Sequence, residues 1–377
     1  MKKMINIFQP SLGKKEIEEI KEVFESNWTG KGQKTKILEK YLSNKIRVDR
    51  GNVTTVTSCT EGLFQIIELL SLDEKDEVVL PSISFVGAGN AIVSSGAKPV
   101  FCDVDCRTLN VTAEHIEEKI TEKTKAVILI HYAGLPCEMD DIVDLCESRD
   151  IVLIEDNACS PFSKYRGNNT GTIGNFGTWS FDSMKILVIG DGGLIYCDSK
   201  NTMKYLKEKL YLGLMSESGL TNSIDKKWWE FNISSAGRRS IINDITASIG
   251  LSQIKKVDSF IKRREYIHKF YTNNLKSLDW LMTPEDFPDY IKSSYYMYWI
   301  QTKNSTDRDD LARFLREQGI YSTFRYYPLH RVPFYNNKQK LENTETAANS
   351  TLCIPLHQSL SNEDIEKVVE SIKKYKR

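Results

Sequence analysis

The feature that most constrains the fold is an alternation of short β-branched runs with helical patterns between residues 50 and 200. This alternation is typical of strand-helix-strand units, which build a mostly parallel sheet. Seven runs have the character of strands, at residues 53–57, 77–80, 99–103, 126–132, 151–155, 178–181 and 193–197. Several end in polar or acidic residues, and an open α/β sheet binds its ligands at that edge. The sequence therefore predicts an α/β fold with a ligand site at one edge of the sheet.

The segments outside this block indicate a second, smaller unit. A helical pattern with apolar residues Ile17, Ile20 and Phe24 covers residues 14–24, and another covers residues 242–270. After it, an aromatic run at 295–300 alternates with helical patterns at 307–318 and 362–375. We therefore expect a large domain over residues 1–256 and a small α+β domain over residues 257–377.

Charge and cysteine usage exclude several classes of partner. Lysine plus arginine and aspartate plus glutamate both number 51, so no overall field attracts nucleic acid or an anionic membrane. The eight cysteines contain no Cys-x-x-Cys pair, and the five histidines lack metal-ligand spacing. There is no apolar stretch of a secretory signal or of a membrane-spanning helix. We expect a cytoplasmic protein without metal, disulfide, nucleic acid or membrane.

Lys185 is the strongest candidate for catalysis. It follows the run at 178–181 and precedes the apolar residues 186–189, where its charge is lost more easily than in water. Asp156 ends the apolar run that begins at Ile151, and its side chain would face the opposite way from that of Glu155. A lysine that binds the aldehyde of pyridoxal phosphate, with an aspartate against the ring nitrogen, needs this pair. Taken singly, Lys185 also fits a strand end and Asp156 a helix cap.

Residues 58–63 place hydroxyls before a helical pattern, and a helix start of this kind binds anions. Ser180 adds a hydroxyl that could share a phosphate, and Phe85 either stacks on a flat ring or fills the core. Gly87 and Gly89 form only part of a dinucleotide fingerprint, because the third glycine is missing. A nicotinamide oxidoreductase is therefore a weak alternative.

These residues occur in an order that resembles the sugar-nucleotide aminotransferases of the DegT/StrS type, which have the fold-type I architecture of pyridoxal phosphate enzymes. The resemblance runs nearly end to end. Its motifs are Pro10 to Gly13, Trp28 to Gly30, Ser58 to Thr60, Asp76 to Pro81, Gly96 to Phe101, Thr124 to Ala126, Glu155-Asp156, Ser180-Phe181, Lys185, Gly192-Gly193, Ala247 to Gly250 with Gln253, Tyr327 to His330, and Ile354 to His357.

The resemblance implies a role for each matching residue. Lys185 would hold the cofactor covalently and act as base and acid, Asp156 would meet the ring nitrogen, and Phe85 would stack on the ring. The cofactor phosphate would be held by Thr60, the amide of Glu61 and Ser180. The sugar substrate would be met by Arg325, Tyr327 and His330.

The chain departs from the resembling family at two cofactor contacts. Cys159 stands where a histidine or glutamine is usual, and a thiol forms weak hydrogen bonds. Ile241 occupies a position from which a partner subunit usually supplies asparagine or arginine to the phosphate, so Arg239 is the candidate substitute. The resemblance also implies a homodimer with shared active sites.

The implied activity is transfer of an amino group from an amino acid, by resemblance L-glutamate, to a keto group at carbon 3 or 4 of a nucleotide-linked deoxysugar. Surface polysaccharide and antibiotic sugar pathways both fit. The choice of sugar would depend on loops near Lys31, Trp228, Trp229 and Arg325. Two alternatives stay open: a keto-sugar dehydratase with the same cofactor, whose resembling members have histidine in place of Lys185, and a non-catalytic regulatory protein that binds pyridoxal phosphate.

Overall fold

The computed structural model describes residues 4–215 and 230–375. Its α-helices are α1 (Lys14–Glu25), α2 (Gln33–Ile46), α3 (Cys59–Leu69), α4 (Val86–Ser94), α5 (Ala113–Glu117), α6 (Met139–Ser148), α7 (Lys200–Lys209), α8 (Asp244–Ile254), α9 (Val257–Leu275), α10 (Ser305–Glu317), α11 (Glu342–Ser350) and α12 (Asn362–Tyr375). Its strands are β1 (Val53–Val56), β2 (Glu77–Pro81), β3 (Lys98–Cys102), β4 (Thr124–Ile130), β5 (Val152–Asp156), β6 (Lys164–Tyr165), β7 (Asn168–Asn169), β8 (Phe176–Ser180), β9 (Gly193–Cys197), β10 (Leu281–Met282), β11 (Ile291–Lys292), β12 (Tyr298–Thr302) and β13 (Thr351–Ile354).

The main sheet has seven strands in the order β1-β9-β8-β5-β4-β2-β3. Only β9 runs against its neighbours, β1 and β8, and the other pairs are parallel. The prediction of a seven-stranded, mostly parallel sheet is confirmed, and each predicted strand agrees with an observed one to within two residues at both ends. The agreement has a physical cause: parallel strands covered on both faces consist of continuous apolar runs.

The two faces of the sheet enter two separate apolar clusters. In β2, Val79 packs into one cluster, whereas Val78 and Leu80 pack into the other. In β4, Val127 and Ile128 are divided between the clusters in the same way. This alternation follows from the two-residue period of a strand. Burial on both faces leaves the ends of the strands as the places where polar side chains reach a ligand.

The C-terminal part contains a three-stranded sheet in the order β10-β12-β13. Residues of α9, α10 and α12 pack on it in a third apolar cluster. The predicted helix over 242–270 is divided into α8 and α9, because the amide of Lys256 donates to the carbonyl of Gln253 and closes the first helix. The boundary between residues 256 and 257 coincides with the start of α9, and its role as a domain boundary stays a prediction.

Helix α1 is confirmed, but two of the three apolar residues that indicated it, Ile17 and Phe24, do not face the core. Ile17 is 66% exposed and Phe24 is 63% exposed, whereas Glu16 and Val23 are buried. Glu16 is directed inward because Ser252 and Gln253 of α8, with Lys256, donate hydrogen bonds to it. In the described ranges, no helix combines the length and apolar character that crossing a membrane requires.

Candidate functional site

A cavity of about 280 Å³ lies at the carboxyl edge of the parallel sheet, where β4, β5 and β8 end. Polar and ionisable side chains converge here because each of these strands ends in the same direction. Six residues that the sequence indicated line the cavity: Thr60, Phe85, Asp156, Ser180, Lys185 and Arg325.

Asp156 is the last residue of β5 and is only 2% exposed. Its Oδ1 accepts a hydrogen bond from the amide of Ala158 at 3.0 Å and a weak one from the Cys59 thiol at 3.8 Å. Burial raises the pKa of Asp156, although these donors and Lys185 act in the opposite direction. Both hydrogen bonds from described residues reach Oδ1. Oδ2 is therefore available to a donor inside the cavity.

The neighbouring Glu155 points to the opposite face of β5, as the sequence predicted. Its two oxygens accept hydrogen bonds at 2.7 Å from three amides of the loop 171–174. His131 Nδ1 accepts from the amide of Cys137 at 3.0 Å, so Nε2 carries the proton and donates to Glu155 Oε2 at 2.9 Å. Glu155 thus stabilises the loops behind β5.

Lys185 lies beside the aromatic ring of Tyr296. Its Nζ is 3.4 Å from the hydroxyl of Tyr296 and 5.0 Å from the centre of that ring. Burial alone would lower the pKa of Lys185, but Tyr296, Tyr326, Cys159 and Asp156 outweigh burial and raise it well above its usual value. The apolar sequence neighbours of Lys185 therefore do not alone set its pKa, because the closest groups in space are polar.

Hydroxyls and free amides meet at the start of α3. Ser58 caps this helix, and its Oγ accepts the hydrogen bond of the Glu61 amide at 3.0 Å. The predicted phosphate contact of that amide thus competes with the cap. The amides of Cys59 and Thr60 come before the first bond along the helix and have no acceptor within it. Together with the hydroxyls of Thr60 and Ser180, they form a set of anion donors.

Tyr326 connects two of the predicted cofactor contacts. The ring of Phe85, which is 47% exposed, meets the ring of Tyr326 edge to face at 5.8 Å. The thiol of Cys159 is fully buried and lies 3.3 Å from the Tyr326 hydroxyl. The Cys159 thiol, which the sequence indicated as a weak hydrogen-bond donor, therefore lies next to the phenol of Tyr326.

Arg325 has an aromatic and a sulfur contact in the cavity. Its guanidinium lies 4.7 Å from the ring centre of Phe8, and Nη2 is 3.2 Å from the sulfur of Met184. Phe8 in turn stacks on Tyr296 at 5.2 Å. The N-terminal segment, the loop after β8 and the C-terminal part thus form one wall around Lys185.

Five predicted site residues do not line this cavity: Glu61, Cys159, Arg239, Tyr327 and His330. Arg239 is exposed, with its guanidinium 5.4 Å from the ring centre of Tyr211. Tyr327 is 60% exposed and lines a different surface depression. His330 is 3% exposed, with Nδ1 2.6 Å from the hydroxyl of Ser82.

The sequence reasoning missed Tyr296 and Tyr326. Both lie in aromatic stretches, at 295–300 and next to Arg325, which indicated only strands or a sugar contact. Spacing along the chain carried no signal that either phenol would approach Lys185 or Cys159. Trp228 and Trp229, which the sequence placed near the sugar, lie outside the described residues.

The donor set in the cavity fits pyridoxal phosphate. The cofactor requires an amine for its aldehyde, an anion for its ring nitrogen and donors for its phosphate. Lys185 provides the amine, and Asp156 provides a carboxylate oxygen that is not used by the described residues. Thr60 and Ser180 provide hydroxyls. A protonated ring nitrogen would also offset the cost of burying Asp156.

Comparison with known proteins gives matches over nearly the whole chain. The profile of the DegT/DnrJ/EryC1/StrS aminotransferase family matches residues 10–373. The dTDP-4-dehydro-2,3,6-trideoxy-D-glucose 4-aminotransferase of Saccharopolyspora spinosa is 43% identical, covering 98% of this chain and 96% of the relative. The GDP-perosamine synthase of Escherichia coli O157:H7 is 33% identical over 99% of both chains.

Solved structures agree with these relatives. The aminotransferase TlmJ of Streptoalloteichus hindustanus has a TM-score of 0.94 and 45% identity, covering 99% of this chain and 98% of that one. The PLP form of the sugar aminotransferase Spr1654 of Streptococcus pneumoniae, itself described as putative, has a TM-score of 0.89 and 25% identity, covering 99% and 98%. The predicted fold is thereby confirmed.

Proposed function

Because the chain belongs to the DegT/DnrJ/EryC1/StrS aminotransferase family, we propose that it transfers an amino group from L-glutamate to the keto group of a nucleotide-linked deoxysugar. Family membership establishes a pyridoxal-phosphate-dependent aminotransferase, as the resemblance implied. We propose, in addition, the identities of the amino donor, the sugar acceptor and the site residues.

Two relatives support a nucleotide sugar as the acceptor, and one of them supports a ketone at carbon 4. The 43% identical relative is a 4-aminotransferase of a dTDP-linked 4-dehydro sugar, and the 33% identical relative makes a GDP-linked sugar. A nucleotide diphosphate is a large anionic tail, which supplies binding energy remote from the reacting carbon. We therefore propose a dTDP-linked 4-keto deoxysugar as the first substrate to test.

The observation that carries the proposal is the presence of Lys185 and Asp156 in one cavity. Pyridoxal phosphate, when bound, would supply an electron sink for the α-carbon of an amino acid that loses its proton. Lys185 Nζ removes that proton and later supplies one to the sugar carbon that receives the amine. Asp156 would hold a positive charge at the ring nitrogen of the cofactor, and Tyr296 orients the Lys185 amine through its hydroxyl.

The remaining cavity residues position the reactants. Thr60 and Ser180 would hold the cofactor phosphate, and the exposed ring of Phe85 would pack on the cofactor ring. Arg325 meets a carboxylate of the donor or a phosphate of the sugar nucleotide, since a guanidinium matches both groups. Tyr327 and His330 lie beyond this cavity, so we assign them to the more distant part of the sugar nucleotide.

We also propose that the protein is a cytoplasmic homodimer with shared active sites. The outward apolar residues Ile17 and Phe24 on α1 support an interface, because large apolar side chains exposed on one helix face commonly mark one. Arg239 is exposed and outside the cavity of its own chain, so it is free to contact the phosphate in a partner's cavity. Eight unpaired cysteines suit a reducing compartment.

The first experiment records the visible absorption spectrum of the protein with pyridoxal phosphate, before and after L-glutamate. We expect a cofactor band that glutamate bleaches and that Lys185→Ala abolishes. Lys125→Ala, which removes an exposed lysine of β4, is the matched control and keeps the wild-type response. A band that glutamate leaves unchanged favours a dehydratase or a regulatory protein, and absence of any band contradicts the cofactor assignment.

The second experiment tests the acceptor and the assembly. The aminated enzyme is mixed with a dTDP-linked 4-keto deoxysugar, and we expect return of the cofactor band together with a new amino sugar. Light scattering after size exclusion measures the mass in solution, for which we expect twice 43.2 kDa. A monomeric mass with full activity would contradict the shared site.

A further inference from the structure

A second cavity, of about 400 Å³, lies away from the residues that surround Lys185. It is formed where the end of α2, the hairpin of β6 and β7, strand β11 and helix α9 meet. Four cations and one carboxylate are its charged residues: Lys45, Arg47, Lys164, Lys292 and Asp258. We call this cavity the basic cleft.

Two of these cations face each other across a strand pair. Lys164 of β6 and Lys292 of β11 are direct partners in antiparallel register. Like charges at directly opposed positions destabilise a sheet. An arrangement of this kind is favourable when an anion binds between or beside the two ammonium groups.

The basic cleft does not neutralise its own charge. Asp258 forms an ion pair with Lys45, at 2.5 Å. In the part of the chain that the structure describes, Arg47, Lys164 and Lys292 form no ion pair with a carboxylate. Three positive charges thus converge on one cavity without a counter-ion from these residues.

The electrostatics of Lys164 agree with this arrangement. Burial lowers the pKa of Lys164, and the neighbouring charges of Arg47, Lys292 and Lys45 lower it further. Asp258 opposes this effect but does not reverse it. A bound anion would therefore stabilise the ammonium form of Lys164.

Asn169 adds a polar group that lacks a partner. It lines the basic cleft and is 3% exposed. Its Nδ2 donates to the carbonyl of Ile46 at 2.9 Å, whereas its Oδ1 is buried without a hydrogen bond in the described structure. A buried acceptor of this kind is costly unless a donor reaches it. Asn169 therefore forms part of the wall of the basic cleft and does not contact a ligand, because its Oδ1 has almost no accessible surface.

We propose that the basic cleft binds a small anion of the phosphate class, at a site separate from the cofactor and sugar-nucleotide site. Lys164 and Lys292 contact the phosphate oxygens, and Arg47 adds a third charge. The directly opposed Lys164 and Lys292 suit one phosphate group, whose oxygens can meet both ammonium groups. The site rests on its own residues and is independent of the sugar that the enzyme accepts.

The test is isothermal titration calorimetry of the protein loaded with pyridoxal phosphate, which occupies the other phosphate site. Inorganic phosphate and methyl phosphate are titrated separately into the wild type, Lys164→Gln and Lys292→Gln at low ionic strength. We expect saturable binding of at least one of them to the wild type, weakened about tenfold or more in each variant, since charge-assisted hydrogen bonds are lost. The tighter of the two distinguishes free phosphate from a phosphate ester.

Lys125→Gln is the control, because it removes an exposed lysine of β4 that forms no ion pair with the described residues. We expect its affinity to stay within about twofold of the wild type, because Lys125 does not line the basic cleft. Thermal unfolding confirms that each variant is folded. The proposal is overturned if the wild type shows no saturable binding at millimolar phosphate, or if Lys125→Gln weakens binding as much as Lys164→Gln.

Discussion

Two buried carboxylates of this protein are held in opposite ways. Glu16, at the contact of α1 with α8, is surrounded by donors, whereas Asp156, at the edge of the sheet, accepts hydrogen bonds through only one oxygen from the described residues. Burial would raise the pKa of Glu16, but hydrogen bonds from four donors lower it to about 2. The donors are Lys256, Ser252, Gln253 and the amide of Gly13.

Burial raises the pKa of Asp156, because its donors are too few to compensate for the loss of water. The difference indicates that a buried carboxylate with an incomplete set of hydrogen-bond donors is the one that binds a ligand. A complete set marks the carboxylate that holds two elements together.

The same contrast separates two lysines. Lys185 has Tyr296, Tyr326, Cys159 and Asp156 around it, and these neighbours raise its pKa. Lys164 in the basic cleft has mainly cations around it, and its pKa is lowered. Lys185 thus acts within a preformed set of partners, whereas Lys164 lacks the anion that would complete its surroundings.

The largest effect is expected for Asp156→Asn. The asparagine side chain keeps the shape of the aspartate and the hydrogen bond from the Ala158 amide but removes the charge. We therefore expect the rate of amino transfer to fall about 10²- to 10³-fold. The free energy of unfolding of the cofactor-free protein should not fall, because burying the charged Asp156 is unfavourable. Turnover with glutamate and urea unfolding measure the two quantities. A loss of stability that accounts for the lost activity would contradict the contrast with Glu16.

For Glu16→Gln we expect the opposite pattern. Removal of the charge weakens hydrogen bonds to a charged group, so the free energy of unfolding should fall by about 1–3 kcal/mol at neutral pH. Activity per folded molecule should be unchanged. Glu18→Gln is the matched control, because Glu18 lies exposed on the same helix. Urea unfolding of the three proteins checks the result.

The pH dependence of this difference has a defined sign. The folded pKa of Glu16, about 2, lies below the ordinary value of 4.5. The charged form is therefore favoured in the folded protein, and its contribution is complete above pH 4.5 and lost as the pH falls through 2. Unfolding curves of wild type and Glu16→Gln between pH 7 and pH 2 should converge at the acid end. A constant difference would show that packing, not charge, stabilises this contact.

Tyr296→Phe tests the partners of Lys185. The Tyr296 hydroxyl stabilises the ammonium form, so its removal should lower the pKa of Lys185 and move the rise in cofactor-binding rate with pH to lower pH. At neutral pH we expect the rate to increase about two- to tenfold, the value of one hydrogen bond. Tyr298→Phe removes a hydroxyl that contacts Thr272 instead and serves as control. Stopped-flow absorbance measures the rate.

How far the sequence predicts this structure depends on whether a feature is local. The strands of the sheet were predicted because buried parallel strands are continuous apolar runs. Lys185 and Asp156 were singled out because each follows or ends such a run, and ligands bind at that edge. Both signals are carried by residues next to each other in the chain.

Features that depend on distant residues were not predicted. The pKa of Lys185 was expected to fall from its apolar neighbours at 186–189, but Tyr296 and Tyr326 come from the C-terminal part. The apolar spacing of Ile17 and Phe24 correctly indicated a helix, yet it carried no information on which face is buried. Glu16 faces inward because it accepts hydrogen bonds from residues about 240 positions away in the chain, which no local pattern indicates.

The smallest effect is expected for Lys292→Glu in the basic cleft. The substitution replaces a like-charge pair with an attractive one directly opposite Lys164, so the free energy of unfolding should rise by about 0.2–1 kcal/mol. Phosphate, which should stabilise the wild type, should no longer stabilise this variant, because one of its contacts has become negative. Thermal unfolding with and without phosphate measures both quantities, and Lys125→Glu controls for the change in net charge. If Lys292→Glu were less stable than the wild type without phosphate, the register of Lys164 and Lys292 would not be a source of repulsion, and the argument that the cleft lacks a counter-ion would fail.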